Sequence, residues 1–391
     1  MRRDVVFGEV LDSMRGPCVK FYSILFTAAV LATTSTARAQ QYLYTNDNVN
    51  DQTNSTTALR VNADGKLTII KTYSTGGKSS GAATYFASHP IAYAVVDKKS
   101  SCLFVSNGGD STIAAFSINT TNGELTAVKG SPFAYGVSGD QSFGVSLATG
   151  NNQLLFAANS KDDSISVLKI SSSCSLQTSS SVNLPYSPVD FKVTPNEKDL
   201  IVTYMGPVDS FVIDYTNGSL TEMGPFSSVG SAAGLDILCD SSTVFFGDAA
   251  AHTEIEAYRI ESDGSLEKLK TFTNNQGTGS SNVMVDKNQS QLFVTNNQSN
   301  EITVLAVDSE GVKSFEGIVK LRDPGKFSAG LAQNKSGAQI YVSEARTDES
   351  IGVLNFKGHS LKEVPSSPFN VIQNGFSPAG LLAVPAFGCN N

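Results

Sequence analysis

One short pattern recurs seven times along the chain and constrains its fold more than any other feature. An apolar strand ends in a small or polar residue, and a polar turn, another strand, a Gly-containing turn and a further strand follow. The most recognisable copies are Tyr42–Asn46 (YLYTN), Leu103–Asn107 (LFVSN), Leu155–Asn159 (LFAAN), Leu200–Tyr204 (LIVTY), Val244–Asp248 (VFFGD), Leu292–Asn296 (LFVTN) and Ile340–Glu344 (IYVSE). Their starts lie 61, 52, 45, 44, 48 and 48 residues apart. A period of about 40–50 residues with about four strands per unit is the mark of a β-propeller. The expected fold is therefore all-β: seven blades of four strands, one propeller over residues 40–391. Gly (33 of 391 residues), Asn and Ser suit many short strands joined by tight turns. No long stretch carries apolar residues at helical spacing.

The amino terminus reads as a signal peptide over residues 1–39. Phe21–Ala32 is an apolar run too short to span a bilayer, Arg15 and Lys20 precede it, and Ala37-Arg38-Ala39 offers a small-x-small cleavage site. Asp4, Glu9 and Asp12 do not belong in a basic leader, which places the expected translation start at Met14. Cleavage near Ala39 predicts a secreted or periplasmic protein with no stable membrane span.

The chain from residue 40 onward carries 23 basic and 33 acidic residues, net −10, with no basic run. Nucleic acid binding needs Lys and Arg to displace phosphate counterions, so that function is excluded. Cys102, Cys174, Cys239 and Cys389 follow the leader. An even count in an exported chain favours disulfides, with three possible pairings. Neither their spacing nor that of His89, His252 and His359 resembles a metal site, so neither metal nor cofactor is implied.

Within each unit the strands can be lettered A to D from the hub outward. The expected A strands are Ile91–Asp97, Phe143–Thr149, Pro188–Pro195, Ala232–Cys239, Ser280–Lys287, Ser328–Lys335 and, at the carboxyl end, Pro378–Pro385. The first unit begins at a B strand, and the last strand is an A strand. Pro378–Pro385 is thus expected to complete the blade of Tyr42–Tyr73 and close the ring, leaving no unpaired edge there. Asn122-Gly123, Asn217-Gly218 and Asp263-Gly264 mark C–D hairpins. Strand direction places the D–A and B–C loops on one face. Ser74–Pro90, Gly130–Ser142 and Pro365–Ser377 make it the long-loop face, where a ligand or partner is expected. The four cysteines fall near the opposite face. Cys102–Cys174 would join neighbouring blades and is the favoured pairing, leaving Cys239 and Cys389 as a second bridge or as free thiols.

Local motifs add little chemistry. Gly77-Lys78-Ser79-Ser80-Gly81 has the letters of a nucleophile elbow but sits in an expected loop, without the strand–helix frame. Asn46–Asp51 alternates oxygen ligands but lacks the Gly and terminal Glu of a calcium loop, and reads as a solvated B–C loop. The B-strand ends Asn46, Asn107, Asn159, Asp248, Asn296 and Glu344 form a candidate polar ring toward the long-loop face. Of these, Asn107, Asn159, Asp248 and Asn296 are the ligand-binding candidates. Asn also caps turns well, which is the competing role.

B strands like LFVSN, followed by C strands like STIAAFSIN and a Gly-Glu or Gly-Ser-Leu turn, resemble the seven-bladed propeller lactonases. That family includes 6-phosphogluconolactonase and the carboxymuconate cyclases, and the resemblance spans Gln41–Phe387. It implies a Pro-Arg-His and a Phe-His-Pro-Asn stretch in one A strand, then Asn-Glu ending the next B strand. The matching stretch is Pro188–Asn196, which keeps Pro188, Pro195 and Asn196. Val189 stands for the Arg, Asp190 for the His, and Tyr204-Met205 for Asn-Glu. Opening a lactone needs a donor over the developing oxyanion and a base to activate water, and Val189 and Met205 supply neither. The favoured expectation is a noncatalytic propeller that binds a small molecule, a carbohydrate-like ligand or a protein. The alternative is a lactone hydrolase with re-sited groups, its candidates being His89, Asp190, Glu344 and Arg346.

Overall fold

The repeat folds as its period demands. In the computed structural model the described residues are 40–48, 53–79, 94–97, 99–135, 147–151, 154–204, 206–228, 230, 232–248, 253–274, 277–296, 298–322, 327–345, 350–371, 380–385 and 389. Among them every regular element is a strand, and the strands form seven antiparallel sheets. The leader assigned to 1–39, and with it the proposed start and cleavage site, lies outside the described residues.

Blades 2 to 7 are built in chain order from hub to rim. Blade 1 is composite: Gln41–Asn46, Thr53–Val61 and Leu67–Lys78 are joined at the hub by Gly380–Val384. The closing pair runs from Tyr42 opposite Val384 to Asn46 opposite Gly380, as the position of the last strand in the sequence requires.

The B strands read as near-continuous apolar runs because each is covered on both faces. In Leu154–Asn159, Leu155 and Ala157 face blade 2 while Leu154, Phe156 and Ala158 face blade 4. Side chains alternate across a strand, so each sheet feeds two cores. The described core accordingly divides into seven clusters, one for each neighbouring pair, including blades 7 and 1. Outer strands keep the half-exposed pattern, as in Leu176–Asn183.

Two bridges, Cys102–Cys174 and Cys239–Cys389, are formed. Six C–D turns place Gly at positive φ, and in blade 3 Cys174 takes that conformation instead (φ 64°). The side chain needed for the bridge explains a non-Gly residue there.

Several local expectations need correction. The outer strand of blade 1 runs through Gly76 and Gly77 to Lys78, so the start of the Gly77–Gly81 motif is strand, not loop. Its backbone stays paired because Thr53 lies opposite Lys78. Two further long loops contain short strands, Phe133–Ala134 and Phe369–Asn370, which continue interrupted outer strands of blades 2 and 7. Those two sheets are therefore five-stranded. Asp47 is not solvated: it is fully buried and accepts hydroxyls from Thr45, Ser55 (2.6 Å) and Thr57 (2.9 Å). Burial raises its carboxyl above the ordinary range, and those donors oppose the shift.

Candidate functional site: the central channel

The inner strands of all seven blades line one channel of about 440 Å³. How each inner strand enters it is set by a repeated irregularity. In blades 4 to 7 the A strand shifts register against its B strand, between Pro188 and Asp190, Ala232 and Leu235, Ser280 and Val283, and Ser328 and Leu331. A bulge of this kind releases a backbone N–H from the ladder. In three of these blades a hydroxyl near the end of the B strand accepts it. Asp190 N donates to Thr203 Oγ1 (3.1 Å), Asn282 N to Thr295 Oγ1 (3.0 Å) and Gly330 N to Ser343 Oγ (2.6 Å). Thr203 Oγ1 in turn donates to Ala233 O of blade 5 (2.7 Å). The recurring Ser or Thr of the B strands thus holds the bulge that shapes the channel wall.

One arc of the wall is polar. Asp190 Oδ1 accepts Phe191 N (2.8 Å), and its Oδ2 accepts Leu235 N of blade 5 (3.4 Å). Asp236 repeats the device one blade on, accepting Ile237 N at Oδ1 (2.9 Å) and Val285 N of blade 6 at Oδ2 (2.8 Å). Lys192 of blade 4 adds its ammonium to Asp236 as an ion pair. Asn282 packs against Gly234, where a Cβ would come within 2.5 Å of its Oδ1. Blades 4, 5 and 6 therefore present two carboxylates, one ammonium and the amides of Asn282 and Gln289. The rest of the wall is mostly apolar, from Gly330, Leu331 and Ala332 through Leu381, Leu382 and Ala383 to Val95 and Ala148.

The residues singled out from sequence fall in different places. Asp190 lines the channel. Glu344 is fully buried at the end of the blade 7 B strand, its carboxylate packed on Gly352, and it is not a lining residue. His89 and Arg346 lie outside the described residues, as does Met205. Asn107, Asn159, Asp248 and Asn296 are buried. Asn107 Nδ2 donates to Thr112 Oγ1 (3.0 Å), Asn159 Nδ2 to Asp162 Oδ2 (2.7 Å) and Asn296 Nδ2 to Thr303 Oγ1 (2.8 Å). These bonds cap the B–C turns. Gly230 packs on the Asp248 carboxylate. Asn54, buried between Asn46 (2.9 Å) and Asn107 (3.1 Å), joins two of the B-strand ends across blades 1 and 2.

A second acidic group sits where blade 4 meets the long-loop face. Asp209 is buried, accepts Ser210 N (2.8 Å) and takes a longer bond from the Tyr204 hydroxyl (3.4 Å). Burial pushes its carboxyl up to about 7; the Glu222 carboxylate adds to the rise, and the Ser210 and Gly224 N–H groups oppose it.

The sequence pattern described as "Lactonase, 7-bladed beta-propeller" matches residues 93–234, 200–326 and 253–370. The chain belongs to the seven-bladed β-propeller lactonase family. No curated protein sequence matches it. Among solved structures, a putative 6-phosphogluconolactonase from Bacteroides fragilis superposes with a TM-score of 0.71 at 15% identity, covering 90% of this chain and 99% of that one. The periplasmic gluconolactonase PpgL of Pseudomonas aeruginosa gives 0.70 at 15% identity, with 88% and 99% covered. A putative 6-phosphogluconolactonase from Bacteroides uniformis gives 0.70 at 14%, with 89% and 100% covered. At such identities the similarity carries the fold. In this lactonase propeller Lys192, Asp236 and Asn282 are channel residues that sequence reasoning passed over. The signal for Lys192 was present as an inner strand, Pro188–Val193, with charge at two alternate positions, Asp190 and Lys192.

Proposed function

We propose that this chain is an exported lactonase-family propeller that binds a small polyhydroxylated ligand of the sugar-lactone class in its central channel. The carrying observation is the split wall: Asp190, Lys192, Asp236 and Asn282 on one arc, aliphatic side chains on the other. A sugar ring is divided the same way, with C–H faces and hydroxyl edges, and binding pockets commonly pair an apolar lining with a few placed polar groups. Export is supported by the two disulfides, which persist in oxidising compartments, and by the leader-like residues 1–39. Binding rather than turnover is favoured because both channel carboxylates already accept two backbone N–H groups each. A general base must instead be open to the water it activates.

Family membership favours a second reading, lactone hydrolysis by re-sited groups among His89, Asp190, Glu344 and Arg346. One experiment separates the two. The protein, purified without its leader, is titrated with D-glucono-δ-lactone by calorimetry while ring opening is followed in parallel. Saturable binding that weakens in Lys192→Met, with ring opening no faster than in buffer, is the expected result. Ring opening accelerated by the protein and lost in His89→Ala or Arg346→Ala would replace the binding reading with the catalytic one. Neither binding nor acceleration would reject both.

A further inference from the structure

Away from the channel, on the face of the short turns, four of the seven joints between blades share one device. The start of a B strand grips the C–D turn of the next blade. Between blades 1 and 2, Tyr42 OH donates to Thr121 O (2.7 Å). Between 2 and 3 the grip is the Cys102–Cys174 bridge. Between 5 and 6, Thr243 Oγ1 donates to Ser309 O (2.9 Å), and between 6 and 7 Gln291 Nε2 meets His359 Nδ1 (2.8 Å). Between 4 and 5 the position is held by Asp199, the first residue of Asp199–Tyr204. Asp199 is only 4% exposed and lies against Gly264 of the blade 5 turn, where a Cβ would stand 2.8 Å from its Oδ1. Its carboxyl oxygens accept no hydrogen bond from any described residue, and the turn it faces carries another acid, Asp263.

This joint opens into a cavity of about 370 Å³, within the ~300–1,000 Å³ usual for small-molecule pockets. Asp199, Asp263, Glu197 and Tyr215 line it, with Lys198 as the single cation. The Tyr215 hydroxyl is buried and has no hydrogen-bond partner. A buried hydroxyl left unsatisfied beside a buried carboxyl that lacks a donor is costly unless something fills the cavity. Both are acceptors, and the carboxylates outnumber the ammonium three to one. We propose that this cavity binds a small organic ammonium, a primary amine whose N–H groups reach the Asp199 carboxylate and the Tyr215 hydroxyl. The volume exceeds that of a bare ion, and among the described residues no three metal-ligating side chains converge. Burial raises the Asp199 carboxyl above its ordinary range, with Lys198 opposing and Asp263 reinforcing the shift. Deprotonation on binding follows, so affinity is expected to strengthen as pH rises, until the amine itself loses its proton.

The probe is putrescine, with butane-1,4-diol as its uncharged counterpart and calcium chloride as the metal control. Binding is followed by calorimetry and by the melting temperature of the disulfide-intact protein. Expected are saturable putrescine binding, a raised melting temperature, no response to the diol, and affinity lowered at least about tenfold in Asp199→Asn. The same substitution should raise the melting temperature of the unliganded protein, because it removes a buried unpaired acid. Tyr215→Phe, which keeps the ring packing, should weaken binding several-fold and serves if Asp199→Asn does not fold. Putrescine binding unchanged by either substitution, no binding to the wild type, or a response to calcium or the diol equal to that to putrescine would overturn the proposal.

Discussion

The polar and apolar arcs of the channel hold their blades together in different ways. On the arc of blades 4 to 6, Asp190 and Asp236 reach sideways to the next blade's N–H groups, and Lys192 bridges back. On the arc of blades 7, 1, 2 and 3 the lining is mostly small or aliphatic, and the blades are held by the cores behind it. The contrast shows two ways to join blades at a hub. One uses directed bonds, whose loss strands a buried donor; the other uses contact area, whose loss is graded.

The largest test removes part of the apolar arc altogether. Deleting residues 376–391 takes away the Gly380–Val384 strand and leaves the edge of Gln41–Asn46 unpaired. Loss of a single cooperative unfolding transition is expected; an unchanged melting curve would mean the ring does not depend on its closure. Next in size, Asp236→Ala leaves two backbone N–H groups and the Lys192 ammonium without their acceptor, and should cost about 3 kcal/mol in denaturant unfolding. Ala332→Ser, on the apolar arc, should cost well under half of that. If the two are alike, the directed bonds carry no special weight.

A pH series probes blade 4 on its own. The Asp209 carboxyl moves from its ordinary 3.8 to about 7 in the folded chain. Across that window the folded state keeps a proton that the unfolded state has released. Stability from this group is therefore complete below the window and falls as pH rises through it. Asp209→Asn should remove most of that fall, read as the difference in unfolding free energy between the two ends of the window. Smallest, Thr203→Val removes the acceptor for Asp190 N and the donor to Ala233 O, for about 1–2 kcal/mol. A local effect would show up as faster hydrogen exchange at Asp190, with blades 7 and 1 unchanged.

The repeat made the ring legible before any coordinates, because a B strand buried on both faces must read as an apolar run at regular intervals. The seven copies, the closing strand and the Cys102–Cys174 bridge all lie where that reading places them. Gly and Ser misled it at the outer strand of blade 1, where the Ser74–Lys78 stretch reads as loop yet pairs with Thr53 and Ser55. The channel was harder to see. A bulge changes which face a residue presents, and no local signal marks the residue at which register shifts. Thr203, Thr295 and Ser343 look like ordinary strand ends until the N–H groups they accept are placed beside them. The polar B-strand ends were visible as a set, but their burial depends on neighbouring blades, as when Asn54 inserts between Asn46 and Asn107.

The Cys239–Cys389 bridge has a mechanical consequence. It anchors the end of the chain, just past the closing strand of blade 1, to blade 5 on the far side of the hub, with Cys389 facing the channel. A closing strand that peels away from Gln41–Asn46 is therefore still tethered and cannot diffuse off. Its re-annealing is a search over a few residues of slack rather than through a whole unfolded segment, so breathing of the ring is brief and self-healing for as long as the thiols stay oxidised.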